Sequence, residues 1–239
     1  MEKYRTCREG IRSSGYASAN IVAYYPRVVP RSDPAGEARV AGAVLAGLLC
    51  KIDRLHGAWE ELDQIGFGIS RNMLPAENLA IADAQLLVRE GLNVIAGKTA
   101  GRAAFCGSVT LGRGGQMDRR YASLTVRRLC LSITNAIERS TRWALFEPDG
   151  TRVGERLLGQ VDGYMSGLAN RGAFEYDRFA VNCETELHSK TTDPERGFSI
   201  MLAFRPSGSD EDISLTLHHT IAGCRVAATA FAQVAAEVA

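Results

Sequence analysis

The sequence of 239 residues places few side chains at spacings that could do chemistry. Gly97-Lys98-Thr99 has the ending of a phosphate loop, in which glycine backbone N–H groups cradle a phosphate and the lysine neutralises it. That loop needs a second glycine with four residues between it and Gly97. Leu92 holds the required position, and Gly91 falls one residue too early. Residues suited to a strand follow soon after Thr99, where the motif requires a helix. Four histidines, His56, His188, His218 and His219, are candidates for acid–base work or metal binding. His218 and His219 point to opposite faces of a strand and cannot share one ion, and His56 and His188 lack ligand partners at helical spacing. Cys7, Cys50, Cys106, Cys130, Cys183 and Cys224 are too far apart for a metal knuckle or a Cys-x-x-Cys pair. They read as free thiols of a reducing compartment, or as disulfides between subunits of a particle that meets an oxidising exterior. Glu60-Glu61 and Asp210-Glu211-Asp212 sit in polar contexts and read as solvated charge. There is no Gly-x-Ser-x-Gly elbow and no His-Glu-x-x-His pair. The sequence nominates no catalytic centre, no metal site and no cofactor, so no enzyme activity is expected.

Bulk properties narrow the class further. With 46% hydrophobic and 23% charged residues, the chain has the composition of an ordinary globular protein. A net charge of +1, with acidic and basic residues interleaved, gives no basic groove for nucleic acid. No apolar run reaches the roughly 20 residues of a membrane-spanning helix, and Met1 to Ser18 has no apolar signal core. Synthesis and folding in a cytoplasm are expected.

The elements that would carry any site follow from periodicity. Residues 1–20 are polar and read as an arm. Ile21 to Val29 reads as a strand with an edge position at Pro26, and Arg31 to Gly36 as a loop. Val40 to Leu49 is a buried helix or a strand, which periodicity does not settle. Pro75-Ala76 looks like a helix start and Gly91 like its stop, with Leu79, Ala82, Leu86 and Arg89 along one face. Leu92 to Ile95 and Phe105 to Leu111 read as strands. Leu124 to Arg139 carries Val126, Leu129, Cys130, Ile133 and Ile137 as one apolar stripe, with Arg127 and Arg128 beside it. Trp143 to Phe146 then reads as a short strand stopped by the turn Glu147-Pro148-Asp149-Gly150. Arg152 to Asn170 is a second helix, with Val153, Leu157, Val161, Met165 and Leu168 on a face and Gly172 as its stop. Phe179 to Cys183 and Phe198 to Phe204 are strands. Ile213, Leu215, Leu217, His219 and Ile221 alternate with polar residues as the cleanest period-2 strand. The Ala-rich segment Ala227 to Ala239 is expected to be helical. These elements argue an α/β or α+β fold, a mixed sheet flanked by helices in one compact unit. The expected division is an arm at 1–20, a core at 21–222 and a helical extension at 223–239.

An ordered set of short motifs resembles contractile tail sheath proteins, found in bacteriophages with contractile tails and in related bacterial injection machines. In that family a helix opening on Arg-Arg leads into a Thr-x-Trp-x-x-Phe-Glu-Pro segment. Here the matching residues are Arg127-Arg128, Trp143, Phe146, Glu147 and Pro148. Tyr24-Tyr25-Pro26, Gly42 to Gly47 with Asp53 and Gly57-Ala58-Trp59, and Gly91-Leu92-Asn93-Val94-Ile95 are similar to family segments in the same order. So are Gly107 to Leu111, Phe179 to Glu184, Phe198 to Pro206 and Ile213 to Leu217. The resemblance covers roughly residues 20–220. It departs from the family at Lys98-Thr99-Ala100-Gly101-Arg102, where the family has a Pro-Gly-Arg-Gly loop. On this resemblance the additional domains that most sheath proteins carry ahead of this region are not expected, and the tail is expected to run past the family's usual last strand, beyond Thr220.

The resemblance implies a single sheath-type domain with extended terminal arms. It implies a structural subunit that polymerises helically around an inner tube and contracts, or a sheath-like terminator or initiator ring. A nucleotide-binding enzyme built on Gly97-Lys98-Thr99 is the alternative of another class. The implied partners are further copies of the chain, the inner tail tube protein, and baseplate and terminator proteins, in the tail of a virion or injection particle. Neither direct nucleic-acid binding nor membrane insertion is implied. Arm residues that would add strands to neighbours are Tyr16, Ile21, Val22 and Tyr24 at one end and Ile213, Leu215, Leu217 and His219 at the other; the alternative is pairing within the chain. Arg152, Glu155 and Arg156 are candidates to face the tube. Arg127-Arg128 would work within the fold, or at a subunit contact.

Overall fold

The computed structural model describes residues 19–61, 72–99, 102–114, 119–147, 150–185 and 197–228. The chain divides into two compact units, Met1–Arg128 and Leu129–Ala239.

In the first unit the stretch after Ile21 makes two short strands, β1 (Tyr24–Tyr25) and β2 (Val28–Pro30), joined across a cis Tyr25–Pro26 peptide. The ambiguous run after Val40 is helix α1 (Gly42–Leu55), which buries Leu45 and Ile52. Then follow β3 (Met73–Pro75), α2 (Ile81–Arg89), β4 (Asn93–Thr99) and β5 (Arg102–Cys106). β1 lies parallel to β4, β4 antiparallel to β5, and β2 antiparallel to β3. Val28, Leu45, Ile52, Ile95, Phe105 and Leu124 form the main core cluster, while Ala84, Leu87 and Val94 form a second under α2.

Three expectations are corrected here. Pro75 ends a strand, and the helix begins six residues later at Ile81. The face that packs on the sheet carries Ala84 and Leu87 with Val88 beside them, so Ala82, Leu86 and Arg89 face outward. The strand read as Phe105 to Leu111 ends at Cys106, and Leu111–Gly114 is a 3-10 turn. The stop at Gly91 is borne out: its φ of +91° suits glycine, and the Leu92 amide donates back to the Leu87 carbonyl at 3.0 Å.

Asn93, fully buried, is the polar staple of this unit. Its Nδ2 donates to the Val109 carbonyl at 2.7 Å and the Ala23 carbonyl at 3.2 Å, and its Oδ1 accepts from the Val109 amide at 2.8 Å. One side chain thus satisfies both backbone groups of Val109 and adds a second bond to the Ala23 carbonyl, which also accepts from the Asn93 amide at 3.0 Å.

Helix α3 (Leu124–Thr141) continues into the second unit. Its stripe of Leu129, Cys130, Ile133 and Ile137 is at most 1% exposed, as the spacing requires. Thr134 and Thr141, also on the buried side, return their hydroxyls to the Cys130 and Ile137 carbonyls at 2.9 and 2.7 Å. The expected strand Trp143 to Phe146 is instead a 3-10 helix, Arg142–Phe146. It follows α3 without a break, so the backbone tightens rather than extends, a common ending for a helix. Helix α4 (Gly150–Ala169) buries Val153, Leu157, Val161, Met165 and Leu168, the predicted face, and ends before Gly172.

Four antiparallel strands complete the unit in the order β6 (Phe174–Thr185), β7 (Gly197–Pro206), β8 (Ile213–Thr220) and β9 (Gly223–Ala228). Phe198, Ile200, Leu202 and Phe204 of β7 and Ile213, Leu215, Leu217 and His219 of β8 form its core face. Near its start β6 bulges: Phe174 is opposite Pro206, but Phe179 is opposite Phe204. Phe174 packs on both Phe179 and Phe204, with ring centroids 6.0 and 5.2 Å apart, and clamps the base of the bulge. Residues 223–228 of the expected helical extension are strand, because the Ile221-Ala222 turn folds them onto β8. Residues 229–239 lie outside the described residues. Among the described residues no helix is long and apolar enough to cross a membrane.

Candidate assembly surfaces

The arginine pair sits at the opening turn of α3, and its two members do different work. Arg127 donates to the Asn20 side-chain oxygen through Nε at 3.0 Å and Nη2 at 2.6 Å, and lies 5.0 Å from the centre of the Tyr121 ring. It ties down the lead-in to β1. Arg128 turns inward and forms an ion pair with Asp53 of α1. Its Nη1 and the Tyr24 hydroxyl are buried with no hydrogen-bond partner among the described residues. Burial holds the Arg128 guanidinium below its ordinary value, against the pull of Tyr24 and Cys50. Burial pushes the Tyr24 phenol up to about 12, with Arg128 acting in the opposite direction.

The lead-in residues are engaged inside the first unit. The Ile21 carbonyl accepts from the Leu111 amide at 2.9 Å, and Val22 and Tyr24 pack against the main core cluster. Tyr16 lies outside the described residues. At the other end, Ile213, Leu215, Leu217 and His219 are each at most 3% exposed on an inner strand, with β7 on one side and β9 on the other. Among the described residues Ile213–Thr220 is thus paired within the chain, the alternative to strand addition, and the sheet's edges are β6 and β9, with Arg225, Val226 and Ala227 of β9 exposed. Sequence reasoning passed over β9 because its Ala-rich continuation suggested a helix. The Gly223 turn two residues after Ile221 was the available signal.

The remaining hallmark residues meet in the second unit. Trp143 donates from Nε1 to the Gln160 side-chain oxygen at 3.0 Å, and Gln160 Nε2 donates to the Ser140 carbonyl at 3.0 Å. Arg156 lies over the Trp143 ring and approaches Glu147 at 3.6 Å. Phe146 projects outward, 79% exposed. Pro148 lies outside the described residues. Arg152 and Glu155 are exposed with Arg156 on the first turns of α4. This surface joins a charged helix face to an apolar knob, a composition suited to contact with another protein.

Among the described residues the chemistry-bearing side chains stay dispersed. Gly97-Lys98-Thr99 lies within β4 and leads into β5, so the strand-to-helix turn of a phosphate loop is not formed. His218 and His219 face opposite sides of β8, with His218 paired to Ser199 at 2.9 Å. Burial pushes the Cys183 thiol up to about 12 and the Cys224 thiol up to about 11, the direction of inert rather than nucleophilic sulfur. Among the described residues no group of three His, Cys, Asp or Glu side chains could hold a metal ion.

No protein-family model and no curated protein matches the chain. Solved structures do. The chain is similar to a chain of the anti-feeding prophage baseplate at 20% identity and TM-score 0.64, covering 82% of this chain and 53% of that one. It is similar to the anti-feeding prophage helical sheath in its contracted state at 21% identity and TM-score 0.62, with coverage of 81% and 54%. The sheath tail protein of Desulfitobacterium hafniense matches at 15% identity and TM-score 0.61, with coverage of 86% and 46%. The class that the fold defines is thus the mixed helix-and-sheet fold of contractile sheath proteins. The chain spans about half the length of the solved chains it matches.

Proposed function

We propose that this chain is a structural sheath subunit that polymerises helically around an inner tube and contracts to drive that tube through a target envelope. The observation that carries the reading is the fold likeness to contracted sheaths and a sheath tail protein over more than four-fifths of the chain. A head-to-tail interface that does not close generates a helix of subunits. Strand addition at an open sheet edge supplies such a contact through main-chain hydrogen bonds, and β9 is one of the two edge strands of the four-stranded sheet among the described residues. Contraction is then a change between two packings of the same subunits, with the barrier setting the trigger. No bond need be made or broken, in keeping with the dispersed chemical groups.

On this reading the partners are other copies of the chain, the tube protein, and baseplate and terminator proteins. The place is the tail of a virion or injection particle assembled in a bacterial cytoplasm. Arg152, Glu155 and Arg156 are the residues proposed to face the tube. The likeness to a baseplate chain supports a second reading, a sheath-like ring that starts or ends the polymer.

Negative-stain microscopy of the purified protein at high concentration, with and without tube protein, tests both. Striated tubes or filaments support the sheath subunit, and discrete rings support the terminal ring. Monomers under every condition overturn both. Deleting residues 1–20 should abolish polymerisation while leaving the circular dichroism spectrum unchanged.

A further inference from the structure

His219 is the second histidine of an apparently ordinary strand, yet its surroundings are unusual for an ionisable ring. It is 1% exposed and stacks on Phe198, with centroids 4.7 Å apart and planes 8° from parallel. Its Nε2 is buried with no hydrogen-bond partner among the described residues. It lies one residue before the end of β8, opposite Phe198 on one side and Cys224 on the other. The backbone there is equally tight. A Cβ added to Gly197 would collide with the His219 carbonyl, so only glycine lets β7 approach this closely.

The groups around the ring offer a proton no stable home. Glu138 of α3 is already paired with Arg142 at 3.0 Å. Arg142 itself repels an imidazolium. His218 is turned to the other face of the sheet, on Ser199. Cys224 of β9, with its thiol pushed up to about 11 by burial, supplies no thiolate at neutral pH. A charged ring in this place would be desolvated and would lack an acceptor for its Nε2 proton.

We propose that His219 is a proton-operated latch on the β8–β9 turn. Neutral, its ring closes this end of the sheet against Phe198. Protonated, it leaves the stack for water, and the end of β9 separates from β8. The direction of titration agrees. Burial lowers His219 below its ordinary value of 6.5, Glu138 opposes, and Arg142 and His218 add to the lowering. The open end therefore binds the proton more readily than the closed end. Closure is fully favoured above the ordinary value and is lost as pH falls through it towards the depressed one. The proposal rests on the local packing and stands whether or not the chain is a sheath subunit.

Hydrogen exchange of the full chain at about pH 7.5 and about pH 5, corrected for intrinsic rates, tests the latch. The amides of Ile221 to Ala228 should lose protection on acidification, with a limit of about tenfold per pH unit for one proton. Amides in the middle of β6 and β7 should not. His219→Phe keeps a ring on Phe198 and removes the proton site, so protection should become independent of pH. Glu138→Gln removes the carboxylate that favours the proton in the closed end, so the acid loss of protection should begin near the same pH but grow larger and level off at lower pH. Equal acid loss in His219→Phe and wild type, or no loss in wild type, would overturn the proposal. Should His219→Phe fail to fold, an acid loss of unchanged size in Glu138→Gln overturns it alone.

Discussion

The guanidinium of Arg156 lies 4.1 Å from the centre of the Trp143 ring and at the same time reaches 3.6 Å from the Glu147 carboxylate. The ring is held in turn by Gln160, one helical turn after Arg156. Two turns of α4 therefore hold the 3-10 helix that follows α3. The arginine side chain is 63% exposed, so the coupling should be that of a solvated cation–π pair. A double-mutant cycle with Arg156→Ala and Trp143→Ala, read by urea midpoints, should give a coupling of about 0.5–1 kcal/mol. A coupling indistinguishable from zero would mean that the stack contributes nothing to stability.

Asn93 tests the polar core of the first unit. Replacing it by Leu keeps the branching at Cγ but removes two donated bonds and one accepted bond, leaving the Val109 amide unpaired. The expected loss is about 2–4 kcal/mol, because buried backbone groups are left without partners. An unchanged denaturation midpoint would contradict the staple.

Adjacent leucines test the phase of α4. Leu157 is fully buried and Leu158 is 42% exposed. Leu157→Ala should cost about 2–5 kcal/mol through the cavity it leaves. Leu158→Ala should stay within about 0.5 kcal/mol of wild type. Equal effects would place the helix in another rotation.

Tyr176, in the β6 bulge, has φ of 54° and is 78% exposed. It occupies the left-handed region with little packing to offset the cost. Tyr176→Gly should raise stability by up to about 1 kcal/mol, read as a higher melting temperature. A clear loss of stability would show that the ring is packed where the bulge meets the sheet.

Tyr24 should make the protein sensitive to alkali. Its folded-state value is pushed up to about 12 by burial, against an ordinary 10.0. The folded state thus holds the phenolic proton more tightly than the unfolded state. The resulting stability is complete below the unfolded value and is lost as pH rises through about 10 towards about 12. Tyr24→Phe should remove that alkaline slope. At neutral pH the variant should be as stable as wild type or slightly more so, since the hydroxyl has no partner among the described residues. Urea titrations at several alkaline pH values measure both effects.

How much was legible in the sequence varied with the length and purity of each pattern. The α4 stripe from Val153 to Leu168 was readable residue by residue, because five apolar positions at helical spacing leave one solution. The alternation from Ile213 to His219 was equally clear. Short segments failed. Trp143 to Phe146 has four residues that suit a strand, yet the preceding eighteen-residue helix sets its geometry. The α2 face was misjudged because Leu79, Ala82, Leu86 and Arg89 and the set Ala84, Leu87 and Val88 both have helical spacing, and only packing against the sheet decides between them. β9 was missed because alanine and valine accept either conformation, and only the neighbouring strand decides between them.

The sequence by itself determined the buried faces of the two long helices and the inward side of β8. These depend on periodicity and on residue chemistry, which are local. Tertiary structure alone decided that Arg128 turns inward to Asp53 while Arg127 holds Asn20, since adjacent residues on a helix point about 100° apart and only packing says which way is in. It also decided that β8 is an inner strand with β9 beyond it, and that His219 meets Phe198 with no partner for its Nε2 among the described residues. Each of these joins residues distant in sequence or depends on what a strand finds beside it, and no local pattern encodes that.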